Sequence, residues 1–282
     1  MHTFDKQIPI RLENQRLERM HTFKNSINFG INNEILLTVA TRRLDMAPLT
    51  LLFDCEDLEW FAHDAICILA SEMIAERPSR MYRLEKEAAF ECLPIVFLAR
   101  NESAIFLEVF EKSQVAVPSC EKISATNPLD HYAREKIVVE MDEFKKCWLR
   151  NEKELAYQQL LWILGLGIGL TPTGDDFITG LFASLYAKKS FPSFYSQLKD
   201  SAKSKTNSVS YAEIREAVEG RFSQTIQKIF IAASKGEEQG ITKAINDLKQ
   251  VGSTSGSDIL WGIVFGLKLF GEEFEYGYSN SN

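Results

Sequence analysis

Gly165-Leu166-Gly167-Ile168-Gly169-Leu170-Thr171-Pro172-Thr173-Gly174-Asp175-Asp176-Phe177-Ile178-Thr179-Gly180 returns in part near the C-terminus. The second copy is Ser253-Thr254-Ser255-Gly256-Ser257-Asp258-Ile259-Leu260-Trp261-Gly262. Aligned on the central glycine, both read hydroxyl, Gly, any residue, Asp, three residues, Gly. Thr173 matches Ser255, Gly174 matches Gly256, Asp176 matches Asp258 and Gly180 matches Gly262. A hydroxyl followed three residues later by an acid, just before an apolar run, marks a capping-box-like helix start. Gly at the first helical position leaves that turn's amides uncovered, and a bare helix N-terminus holds anions. Two such starts in one chain suggest two helix N-termini facing a shared pocket. The alternative is plain capping, which stabilises a helix end by about 1 kcal/mol without any ligand.

The surrounding sequence becomes helical from Asn127 onward. Asn127-Pro128 places a cap before a proline at the first helical position, and Ile137, Met141, Phe144 and Trp148 follow at helical spacing. A second helix over 152–164 stops at Gly165, and the next extends from Gly174 to Lys188. Ser210-Tyr211-Ala212-Glu213 reads as a further capping box, opening a long helix through Ile214, Val218, Ile226 and Ile229. Ile241, Ala244, Ile245 and Leu248 mark another helix, and the last begins at the second motif.

The first part of the chain differs in kind. Ile35 to Ala40, Leu49 to Phe53 and Ile95 to Leu98 are short apolar runs separated by turn signals, with Asn32-Asn33 placed as in a hairpin turn. The segment 58–75 suits either a strand or a helix. The expectation is an α+β chain: a β-rich N-terminal domain over 1–118 and an all-helical domain over 126–282, with a polar linker around 113–126.

Bulk properties narrow the function. With 282 residues, 45% hydrophobic and 25% charged, the composition is that of an ordinary soluble globular protein. A net charge of -7 argues against non-specific nucleic-acid binding, which needs basic surface. No apolar run reaches membrane-span length and no secretory signal is visible, so the expectation is a cytoplasmic protein. The 5 cysteines are scattered without CxxC spacing and read as reduced thiols. The 4 histidines form no HxxxH or HxH pair.

Within the motifs, Asp175 and Asp176 suit three roles: a Mg²⁺ site, a general base, or acids complementing a helix dipole. No cofactor is otherwise evident. If Thr173 caps its helix, Asp176 folds back onto the backbone, as Asp258 does in the second copy. Asp175 has Ser257 as its counterpart, so it is the one expected to point at a ligand. Thr206-Asn207-Ser208-Val209-Ser210 adds hydroxyls before another helix start. The candidate binding set is therefore Thr171, Thr173, Gly174, Thr206, Ser210, Thr254, Ser255, Gly256 and Asp258, for a small anion with phosphate, carbamoyl or carboxylate oxygens. Balancing positive charge would come from Arg215, Arg221 or elsewhere. Gly180 and Gly262 cost helix stability unless packing requires them; either the two helices cross closely there, or each glycine accommodates a bulky neighbour.

These motifs resemble the AllH-like family of bacterial proteins over residues 155 to 270. The shared pattern is Gly-x-Gly-Leu-Thr-Pro-Thr-Gly-Asp-Asp-Phe-x-x-Gly from Gly167, then Thr206 and Ser210 before a helix with Ala217 and Gly220, then Thr254-Ser255-Gly256-x-Asp258-x-x-x-Gly262. One branch of that family is associated with oxamate carbamoyltransferase of anaerobic allantoin breakdown, as one of three different subunits. The resemblance implies phosphorolysis of oxalurate to oxamate and carbamoyl phosphate within a multi-subunit enzyme of purine nitrogen catabolism. The alternative is a non-catalytic scaffold or ligand-sensing subunit whose motifs only cap and pack helices.

Overall fold

The structure is a computed structural model. It describes residues 2–61, 63–69, 72–76, 79–85, 89–90, 92, 95–113, 128–190 and 194–279, so most of the linker expected around 113–126, and Asn127 with it, lies outside the described residues. Helices account for 53% of the chain and strands for 19%, which makes it α+β. It divides into two compact units, residues 1–93 with 221–224, and residues 94–220 with 225–282.

The first unit is built on a nine-stranded sheet among the described residues. Its strands are β1 (His2–Asp5), β2 (Arg16–Thr22), β3 (Ser26–Ile31), β4 (Glu34–Thr41), β5 (Thr50–Phe53), β6 (Ala65–Leu69), β7 (Glu72–Glu76), β8 (Arg80–Arg83) and β9 (Ala89–Phe90), with the short helix α1 (Gln7–Arg11) after β1. Their order is β8-β7-β6-β2-β3-β4-β5-β1-β9. β3 and β4 form an antiparallel hairpin, and Asn32 and Asn33 at its tip adopt φ of 51° and 65°, the left-handed values a tight turn demands. Along β4 the side chains of Ile35, Leu37 and Val39 are buried on alternate positions, the period of a strand with one covered face. The ambiguous 58–75 segment contributes β6 and part of β7, with Ile66, Ile68 and Met73 in the core beside Phe29 and Phe61.

One apolar run does not form the strand its sequence suggests. Residues 95–98 lie outside any strand. Ile95 and Leu98 are buried, but the Leu98 amide donates to the carbonyl of Ala187 at a helix end rather than to a strand. It leads into a helix, α2 (Arg100–Lys112), within the stretch that reads as β-rich.

The second unit is helical: α2, α3 (Pro128–Leu149), α4 (Lys153–Ile163), α5 (Thr173–Ala187), α6 (Tyr195–Lys205), α7 (Ser208–Val218), α8 (Gln224–Lys235), α9 (Glu238–Lys249) and α10 (Ser255–Ser279). Ile137, Met141, Phe144 and Trp148 line the buried face of α3, as their spacing predicts. The core of the unit is the crossing of α5 and α10. A β-carbon on Gly180 would overlap the carbonyl oxygen of Ile259, and one on Gly262 would overlap that of Phe177. The two helices meet backbone to backbone and each glycine is required by the other helix. Phe177 fills the adjoining space edge-on to Trp261, with ring centroids 4.9 Å apart.

This packing sets an expected outcome. Gly180→Ala costs about 2 kcal/mol or more, because neither helix backbone can yield without separating the other. Gly180→Leu prevents a stable helical unit. Urea denaturation of both variants checks this, and a wild-type midpoint for Gly180→Ala would show the close approach to be incidental.

Candidate functional site

The two motif copies share more than sequence. Gly174 packs on the carbonyl of Ile163 at the end of α4, and Gly256 packs on that of Leu248 near the end of α9. The Leu166 amide donates to Ile163 (3.0 Å) and the Val251 amide to Leu248 (3.0 Å). Gly174 in turn donates to Leu166 (2.8 Å), and Gly256 to Val251 (3.0 Å). Two helix–turn–helix segments thus repeat one backbone arrangement. The connection from Leu166 to Gly174 is three residues longer than that from Val251 to Gly256. The longer one turns through Gly165, Gly167 and Gly169 at φ of 76°, 130° and 104°, values that glycine adopts without strain.

These contacts correct the expected capping. Thr173 and Ser255 are the first residues of their helices rather than caps. Pro172 precedes α5 and its carbonyl accepts from Asp175 (2.9 Å) and Asp176 (3.1 Å). Thr254, exposed, offers its carbonyl to Ser257 (2.9 Å) and Asp258 (3.0 Å) in the same way. The amides of Gly174 and Gly256 are taken by backbone carbonyls, so these glycines serve close packing rather than baring a turn for an anion. Likewise Ser210–Glu213 is not a capping box, and the long helix expected from it ends at Val218, with Gly220 at φ of 75° before α8 begins at Gln224. Asn207 caps α7, its side-chain oxygen accepting from Val209 and Ser210.

The motif side chains act across the crossing instead. The hydroxyls of Thr171 and Ser255 lie 2.6 Å apart. Thr173 reaches Asp258, while Ser255 and Thr171 ease the charge on Asp176. Each aspartate therefore faces the hydroxyl of the other copy.

The paired acids at the head of α5 differ in how they are bonded. Asp175 is held internally: its carboxylate accepts from the Gly165 amide at 2.7 Å and from the Thr206 hydroxyl, with Ser210 also contributing. Burial raises its pKa, and these donors oppose the rise. It ties the glycine loop to the α6–α7 junction. Ser210 and Asn207 reinforce that tie by donating to the Leu170 carbonyl at 3.5 and 2.9 Å. Asp176 is only 1% exposed, and among the described residues neither of its carboxylate oxygens has a hydrogen-bond partner. Its pKa lies well above the usual carboxylate range, first through burial and then through the negative charges of Glu213 and Asp258.

Glu213 of α7 completes the cluster, and sequence reading did not single it out as a site residue. It keeps solvent access, yet protein crowds its carboxyl, which loss of hydration and then the charge of Asp175 push up to about 7. In the sequence it stands out as the acid of the capping-box pattern that begins at Ser210. Asp258 differs from its twin. Arg134 of α3 grips it through two nitrogens at 2.7 and 3.3 Å, and Arg134 also donates to Asp130 at 3.1 Å. Arg134 is thus the cation beside the motifs. Arg215 pairs with Glu216 at 3.1 Å and Arg221 with Asp5. Among the described residues no three His, Cys, Asp or Glu side chains gather as a metal site.

Two measurements follow. Arg134→Met strands two buried carboxylates and costs about 3–5 kcal/mol, with the Arg134→Met/Asp258→Leu pair recovering part of the loss; strictly additive costs in urea unfolding would contradict the pairing. Glu213 binds its proton more tightly folded than unfolded. Its contribution to stability is therefore full below its ordinary value near 4.5 and is lost as pH rises through about 7. The stability of Glu213→Gln relative to wild type should rise across that window; a difference independent of pH would overturn the assignment.

No solved structure matches the chain. No helix among the described residues is long and apolar enough to cross a membrane. Residues 163–267, which hold both motifs, the α5–α10 crossing and Glu213, match the family model described as oxamate carbamoyltransferase subunit AllH, the family the motifs resemble.

Proposed function

We propose that this chain is a substrate-holding subunit of a cytoplasmic carbamoyltransferase of the oxamate type, working with other subunits on oxalurate and phosphate in allantoin-derived nitrogen catabolism. The observation that carries the reading is Asp176, a buried carboxylate with both oxygens unpaired, beside Glu213 and inside the matched segment. A buried charge without partners costs folding stability. Such a group is retained where a ligand completes it.

In this reading a phosphate oxygen attacks the carbamoyl carbon of oxalurate. The carbon–nitrogen bond to the oxalyl portion breaks, and its electron pair stays on nitrogen, which takes a proton and leaves as oxamate. Glu213, with its pKa near 7, is matched to supplying that proton and recovering it in the reverse direction. The hydroxyls of Thr171 and Ser255, bonded to each other, retain one hydrogen for a ligand oxygen, while that of Ser210 is taken by the Leu170 carbonyl. Asp175, Thr206 and Asp258 are positioning residues, and Thr173, Gly174, Thr254 and Gly256 shape the two helix heads.

The experiment is co-expression with the other subunits followed by an oxalurate phosphorolysis assay. Asp176→Asn and Glu213→Gln each lower turnover by about a hundredfold or more in complexes that still assemble. An assembled complex whose turnover is unchanged by both substitutions would favour the scaffold reading, to which the glycine packing of α5 on α10 alone also answers.

A further inference from the structure

We propose that the Asp176 carboxylate receives a planar ligand group presenting N–H donors along one edge, as ureido, carboxamide and guanidinium groups do. The proposal rests on the ligand-site reading above and specifies which part of the ligand sits there.

The argument comes from the internal repeat. Asp176 and Asp258 occupy equivalent positions, four residues before the crossing glycines Gly180 and Gly262, and each faces a hydroxyl of the opposite copy. Both are about 1% exposed. At Asp258 the carboxylate is satisfied by a planar, forked N–H donor from within the chain, the Arg134 guanidinium, which spans both oxygens. At Asp176 the same carboxylate has no such donor, and both oxygens are buried without partners among the described residues. The occupied twin displays what this arrangement holds, and Asp176 is the twin for which the described residues supply no such donor.

Local charge agrees. Asp176 feels Glu213 and Asp258 as like charges, so the spot repels a carboxylate or phosphate and attracts the N–H edge of a ligand instead. Glu213 keeps solvent access and so marks the side from which the ligand arrives. The longer loop carrying Gly167 and Gly169 is the other boundary. It leaves Ile168 and Leu170 exposed at 43% and 55%. An anionic ligand portion would then lie away from Asp176 and from the Thr171 and Ser255 hydroxyls beside it.

The test titrates the full chain alone with N-methylurea, methylguanidinium and inorganic phosphate, following binding by calorimetry and by nuclear magnetic resonance of the ligand. The expected result is saturable binding of methylurea or methylguanidinium that weakens by about tenfold or more in Asp176→Asn and in Asp176→Ser. Both variants should melt like wild type without probe. Binding of methylurea identifies a neutral carbamoyl-type edge, and binding of methylguanidinium alone identifies a cationic one. The proposal falls if neither planar probe saturates, if their binding is unchanged in both variants, or if phosphate is the ligand whose binding depends on Asp176. Loss of oxalurate turnover in Asp176→Asn without planar-probe binding would leave the carbamoyltransferase reading standing and remove this one. The converse pair of results would do the opposite.

Discussion

Where α5 and α10 cross, no side chain stands between them: Gly180 rests on the carbonyl of Ile259 and Gly262 on that of Phe177. The rest of the helical unit depends on this contact. It fixes the separation of the helix heads, which puts Thr171 within hydrogen-bonding distance of Ser255 and turns each aspartate toward the opposite hydroxyl. A second pair of glycine contacts, Gly174 on Ile163 and Gly256 on Leu248, locks each helix start to the helix before it. Four glycines without backbone freedom to spare therefore act through size alone, because a methyl group at any of them would strike a main-chain oxygen.

The repeat is one of backbone arrangement, and it breaks at the partners of its two aspartates. Arg134 from α3 neutralises Asp258, whereas α7 brings Glu213 toward Asp176. One copy is a closed, fully bonded ion pair and the other an electrostatically unfavourable cluster of acids. Paired buried charges hold a fold in register, while an unpaired buried carboxyl group is a standing cost to folding. The longer first loop accompanies the same break, since it supplies Thr171 and carries the glycines that let the chain reach it.

Much of this was readable in the sequence. The repeated hydroxyl-Gly-x-Asp motif, the matched glycines and the helical spacing on α3 located the helix starts and the face of α3 that packs inward. The apolar run from Ile35 to Ala40 and the Asn32-Asn33 turn located part of the sheet. The misreadings share one cause. Residues 95–98 have strand-like composition but bond to the end of α5, so local apolar content did not reveal their partner. Asp175 and Asp176 are adjacent and chemically identical; which of them is satisfied depends on Gly165, Thr206 and Ser255, all ten or more residues away in sequence.

The α+β composition and the two helix starts were legible in the chain, because they follow from local periodicity and turn geometry, whereas the close glycine crossing, one of two readings the chain left open, was settled by the fold. Only the tertiary structure decided that the hydroxyls bond across the repeat rather than capping their own helices. Only it decided that Arg134 belongs to Asp258, and that Asp176 rather than Asp175 is left without a partner. Those outcomes rest on distance and dielectric between residues far apart in the chain, and neither quantity is written in the order of residues.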